Sequence, residues 1–184
     1  MFFSTVQKYI HGILAHIPWG HWAILGFISL ALTGFLLIRR KHSVYEAFAL
    51  GMTVFIGLFL LDTAVLLRFL GYYPHSSGHN LIGGFRDFFH GSLLRRAEIL
   101  GNIAVFIPFG FFLSEFLSAK KVSSVRRRFG YVTLAGFGLS LTIECLQVLL
   151  QVGYFEVTDL VMNTAGTFVG AGVATLASLF RINH

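Results

Sequence analysis

Charge is scarce in this chain. Only 12% of its 184 residues are Asp, Glu, Lys or Arg, about half the share of an ordinary soluble domain. Acidic groups are scarcer than basic ones, 8 against 14, which leaves a net charge of +6. Cysteine occurs once, as Cys145 inside an apolar run, and this excludes an intrachain disulfide framework or a thiolate metal site. The first 17 residues lack a compact basic start and a small-residue cleavage site, so no cleaved signal peptide is expected. There is no Gly-x-Ser-x-Gly turn, and Ser92 near His90 is a local coincidence, so no nucleophile with its base stands out.

What the chain has instead is apolar surface: 55% of its residues, 21 Phe among them, with a mean hydropathy of +0.75. A water-soluble core built from so short a chain would leave many of those rings at the surface, and lipid is the more economical solvent for them. The expected fold class is all-α, a polytopic membrane bundle of about five transmembrane helices. Crossing ~30 Å of hydrocarbon takes roughly 20 helical residues. Five stretches come near that length: Trp19 to Ile38, then residues 45–70, 98–118, 129–151 and 158–180. Residues 1–18 are expected to be an interfacial or extracytoplasmic segment ahead of a single transmembrane domain, 19–184. In that segment Phe2, Phe3, Val6, Tyr9, Ile10, Ile13, Leu14 and Ile17 recur at helical spacing, as in an amphipathic helix lying on a membrane. A frayed lead into the first span fits the same residues.

A pI near 9.8 raises the question of nucleic acid. The Lys and Arg residues, however, fall in short clusters between apolar runs, which is a topology pattern and not a nucleic-acid footprint. Arg39, Arg40 and Lys41 follow the first span, Lys120, Lys121, Arg126, Arg127 and Arg128 separate the third from the fourth, and Arg181 follows the fifth. In a five-span alternation all of these share one side; Lys8, Arg68, Arg86, Arg95 and Arg96 remain for the other. The positive-inside rule then places the amino terminus outside and the carboxyl terminus in the cytoplasm. The loop 71–97, the start of the third span, the end of the fourth and the start of the fifth converge on the outer face. Reading 86–96 as a sixth half-span, or dropping the first helix, changes the count but keeps that convergence.

Polar groups inside spans are costly and need a reason. They are Asn102 in the third span, Glu144 and Gln147 in the fourth, and Asp159 and Asn163 in the fifth. Spacings of three and four put each of the last two pairs on one helix face. Glu156 adds charge at the mouth, with Arg86, Arg95 and Arg96 in the preceding loop as counter-ions. Asp62 is expected inside the bundle and Arg68 to snorkel to the outer interface. Gly166 and Gly170, with Ala165 and Ala174, allow close helix approach, which puts the fifth helix at the centre of the bundle. Pro108 interrupts the third helix.

The run Gly101-Asn102-Ile103-Ala104-Val105-Phe106-Ile107-Pro108-Phe109-Gly110, then Glu144-Cys145-Leu146-Gln147, then Asp159-Leu160-Val161-Met162-Asn163-Thr164-Ala165-Gly166 with Gly170, resembles the VanZ-like family of bacterial membrane proteins. Asn80-Leu81-Ile82 followed by Phe85-Arg86 is similar to that family's Asn-Leu-Ile-Pro-Phe loop. The resemblance runs over about residues 45–180, in order. Two departures stand out: Gly83 and Gly84 replace the loop proline, and Gly153-Tyr154-Phe155 stands where the family offers an arginine before the fifth span. Arg86, Arg95 or Arg96 would then hold any anionic group, and Arg86→Ala would abolish its binding. The resemblance implies a multi-pass protein of the bacterial cytoplasmic membrane and a link to teicoplanin resistance; it hands down no catalytic residue.

Interhelical glue is the plain reading of these polar residues, at about 0.6 kcal/mol per bond. An ionised carboxylate near the hydrocarbon centre costs about 2.5 to 3.5 kcal/mol, so Glu144 is the stronger functional candidate. Asp159 sits where a carboxylate also caps a helix. Carboxylates and amides suit hard cations or hydroxyl-rich head groups, and with no His or Cys among them neither a metal nor another cofactor is expected. Three readings follow. In the first, Asn80, Arg86, Arg95, Arg96, Asn102, Glu144, Gln147, Asp159 and Asn163 engage a membrane lipid or lipid-linked cell-wall precursor and alter antibiotic sensitivity. In the second, Glu144 or Asp159 is the general acid or base of a membrane-embedded enzyme acting on a lipid head group. The third, a transporter, is disfavoured by the lack of an inverted repeat.

Overall fold

The computed structural model describes residues 19–39, 43–71, 90–120 and 124–182. Asn80, Arg86 and the segment 1–18 lie outside the described residues. Five helices are long and apolar enough to cross a membrane. α1 is Trp19–Ile38, α2 runs Val44–Phe69, α3 is Leu93–Ala119, α4 is Val125–Leu149 and α5 is Val157–Ile182. No strand occurs among the described residues.

Helix starts follow local capping chemistry. Ser43 and Ser92 hold extended backbones, and their hydroxyls accept the amide protons of Glu46 (3.2 Å) and Arg95 (3.3 Å), closing the first turns of α2 and α3. The Ser92 cap starts α3 at Leu93, not at Glu98, so Arg95 and Arg96 belong to a helix and not to the preceding loop. α4 likewise takes in Arg126, Arg127 and Arg128. α3 stays helical through Pro108.

α3 is the hub, packing against α2, α4 and α5, with its broadest interface on α5. The fifth helix packs against α3 and α4 and shares with α3 the broadest interface of the bundle. The small-residue reading of α5 holds, because a Cβ on Gly166 would overlap the carbonyl oxygen of Ile103, and one on Gly170 that of Ile107. Both partner positions advance by four, so α3 and α5 run parallel with their backbones in contact, the close approach that small residues permit. α4 crosses α5 in antiparallel register. Arg128 meets Thr175, Gly136 meets Thr167, and Ser140 meets Asn163, steps of eight and then four residues that are equal along both helices. Between α2, α3 and α4 sits an apolar core of Ile56, Leu60, Val65, Phe106, Phe109 and Ile143.

Polar contacts interrupt these apolar interfaces at several points. Arg128, 7% exposed, donates to Ser118 Oγ of α3 (2.8 Å) and Thr175 Oγ1 of α5 (3.2 Å), tying three helices at the basic end of the bundle. It is a structural tie and not only a topology charge like its neighbours. On the other side, α1 packs on α2 with Ser29 as its buried residue. Ser29 Oγ donates to the Gly51 carbonyl (2.7 Å), and His21 Nδ1 lies 3.0 Å from Asp62 Oδ1. Asp62, buried at 5% exposure as expected, opens a π-helical segment, Asp62–Leu66, within α2.

Candidate functional site

α3 and α5 begin, and α2 and α4 end, at the same end of the bundle, and the titratable groups gather there. After α4 the chain turns sharply. Gln151 adopts a positive φ of 56°, and the Gln147 carbonyl accepts the amides of Val152 (2.9 Å) and Gly153 (3.2 Å). This turn delivers Glu156 to the start of α5. Its backbone N–H donates to Glu144 Oε2 at 2.8 Å. The first amides of a helix lack intrahelical partners and carry its positive dipole end, so a carboxylate from the neighbouring helix satisfies both needs. Glu144 is only 2% exposed, and this bond gives it a structural task.

The Glu156 side chain faces α3. Arg95 Nη2 reaches Glu156 Oε2 at 2.6 Å, and Nη1 reaches Glu98 Oε2 at 3.1 Å. One guanidinium thus clips α3 to α5 and is matched by two carboxylates, which leaves little of its charge for a ligand. Asp159 follows in the first turn of α5. Its Oδ1 is buried and has no hydrogen-bond partner among the described residues. Glu156, Arg95, Arg68 and Glu98 all act on it electrostatically, and Arg68, from the last turn of α2, acts on Glu144 as well. Arg68 forms no ion pair with a described residue. It lies within electrostatic reach of both carboxylates, and sequence spacing carries no signal of that. No group of three or more His, Cys, Asp or Glu among the described residues could hold a metal ion.

The remaining candidates divide. Gln147 Nε2 donates to the Ala64 carbonyl (3.1 Å) in the π-helical segment, where the wider turn disrupts the regular backbone ladder. Asn163, 5% exposed, donates to Ser140 Oγ (2.9 Å), while its own Oδ1 stays without a partner. Asn102 lies half-buried on α3, two turns beyond Arg95 on the same face, and Arg96 sits half-buried beside Arg95. The structure therefore brings together Arg95, Glu144 and Asp159, adds Arg68, Glu98 and Glu156, and draws Gln147 and Asn163 into separate interhelical bonds.

Five apolar spans with charges gathered at their ends define a multi-pass membrane protein. Residues 71–180 match the VanZ/LLP1 family model, and the chain belongs to that family. It is 34% identical over 73 residues to Protein VanZ of Enterococcus faecium; the match covers 40% of this chain and 41% of that relative. No solved structure matches the chain.

Proposed function

We propose that this protein binds the polar head of an envelope lipid, or of a lipid-linked cell-wall precursor, at the outer face of the bacterial cytoplasmic membrane, and so alters sensitivity to teicoplanin-like glycopeptides. Arg39, Lys120, Arg126 and Arg127 lie at the opposite end of the bundle, which under the positive-inside rule turns the Glu144, Glu156 and Asp159 cluster outward, with the amino terminus outside and the carboxyl terminus in the cytoplasm. Family membership supports the envelope setting.

The observation that carries the reading is Asp159 Oδ1, a buried carboxylate oxygen with no hydrogen-bond partner, within electrostatic reach of an Arg68 that has no ion pair among the described residues. An unsatisfied buried acceptor costs about 1–3 kcal/mol, more for a charged group, and at Asp159 that open acceptor stands beside an arginine without an ion pair among the described residues. A head group that carries phosphate beside hydroxyl or amine donors supplies both missing partners: phosphate for Arg68 and a donor for Asp159. The same oxygen favours a second reading, in which Asp159 rather than Glu144 is the acid or base of a membrane-embedded enzyme, since Glu144 is occupied by a backbone amide.

Binding is tested with a polyprenyl phosphate in nanodiscs, read by native mass spectrometry. Arg68→Gln and Asp159→Asn are each expected to weaken retention about tenfold or more, the worth of one charge-assisted contact. Equal retention by both variants refutes the proposal. Breakdown of a radiolabelled polyprenyl-linked precursor by wild-type protein, lost in Asp159→Asn, would decide for the enzyme.

A further inference from the structure

The arginine run at the start of α4 is divided in its duties. Arg128 turns inward to Ser118 and Thr175, whereas Arg126 and Arg127 are exposed and form no ion pair with a described residue. Directly below them on the outside of the bundle lies an open groove of about 450 Å³ between α4 and α5. Phe129, Gly130, Thr133, Leu134 and Phe137 of α4 line it together with Phe168 of α5. Phe129 and Phe168 meet edge to face, with ring centroids 5.1 Å apart, and wall off one side.

Positions 126, 130, 133 and 137 share one helix face, so Arg126 stands at the head of the groove. Gly130 forms part of its floor. A Cβ there would meet nothing within 4 Å, so no packing among the described residues calls for this glycine. A glycine inside a helix has a cost in helix propensity, and here its effect is to deepen a groove that faces lipid.

We propose that the α4/α5 groove seats an acyl chain of an anionic phospholipid whose head group is held by Arg126 and Arg127. The apolar, aromatic lining suits hydrocarbon, and two exposed cations at one end suit a phosphate, for which guanidinium geometry is well matched. A second copy of the chain is the poorer occupant. A two-fold contact through this face would set Arg126 and Arg127 of one protomer against the same residues of its partner. The site stands at the opposite end of the bundle from the Asp159 cluster and does not depend on the function proposed there.

The test uses the full chain, purified and exchanged into nanodiscs containing either phosphatidylglycerol or phosphatidylcholine, with retained lipid counted by native mass spectrometry. Wild type is expected to retain phosphatidylglycerol in preference to phosphatidylcholine. In Arg126→Gln/Arg127→Gln that preference should fall about fivefold per arginine, about 1 kcal/mol each. Gly130→Leu puts a side chain into the groove from a position where a Cβ meets nothing within 4 Å among the described residues, and should lose the retained lipid while its melting temperature and both arginines are kept. Equal retention of the two lipids by wild type overturns the proposal. So does undiminished retention by Gly130→Leu, or a dimer in which a second copy covers the groove.

Discussion

The backbone amide of Glu156 donates to Glu144 Oε2 over 2.8 Å, so the carboxylate that is the leading functional candidate in the sequence closes the start of a neighbouring helix. Removing the acceptor leaves an amide at a helix start without its partner, whereas a glutamine keeps an oxygen in place. Glu144→Ala should therefore destabilise the protein by about 1–3 kcal/mol and Glu144→Gln by much less, read as unfolding midpoints in mixed micelles. Equal losses would mean that the charge, and not the acceptor, holds the turn.

The parallel contact of α3 with α5 depends on missing side chains. Gly166→Leu and Gly170→Leu push a Cβ into the Ile103 and Ile107 carbonyls, and each should cost about 1–3 kcal/mol or more. Gly172→Leu, on the same helix but with nothing within 4 Å of its Cβ, should be tolerated. Thermal melts of the three variants check the contrast.

Arg128 offers a separable test at the other end of the bundle. Lysine keeps the charge but loses the planar fork that reaches both Ser118 and Thr175. Arg128→Lys should cost about 1.5–3 kcal/mol, the worth of one charged hydrogen bond. Arg126→Lys at the exposed neighbour should stay within about 0.5 kcal/mol. Denaturation midpoints of the pair decide it.

α1 depends on the contacts it makes with α2, among them those of Asp62 and Gly51. Asp62→Leu removes the partner of His21 Nδ1, and amide hydrogen exchange should rise across Trp19–Ile38 while α3, α4 and α5 keep their protection. Uniform change across all the helices would contradict a peripheral α1.

The architecture was legible because hydropathy and length suffice to mark spans: the expected and observed ends of α1 coincide at Ile38. Its errors have one cause. Charge reads as loop, yet Arg95, Arg96 and Arg126 to Arg128 are helical, since capping at Ser92 and continued backbone hydrogen bonding outweigh side-chain polarity. Glycines reveal the close approach of α5 to α3 but not that α3 touches one helix more than α5 does. At the site, the gathering of Arg95, Glu144 and Asp159 followed from topology alone. The nearness of Arg68 to Asp159, the pairing of His21 with Asp62 and the bond from Gln147 to Ala64 depend on helix rotation and on a π-helical turn, neither of which leaves a mark in composition.

The most direct test of the central claim is a paired measurement on Asp159→Asn: its melting temperature in detergent, and the teicoplanin tolerance it restores to cells lacking the wild-type protein. A buried carboxylate kept for the sake of a ligand is a stability cost, and neutralising it in Asp159→Asn should leave the melting temperature unchanged or raised while tolerance is lost. A melting temperature and tolerance that fall together would make Asp159 part of the scaffold and contradict the account.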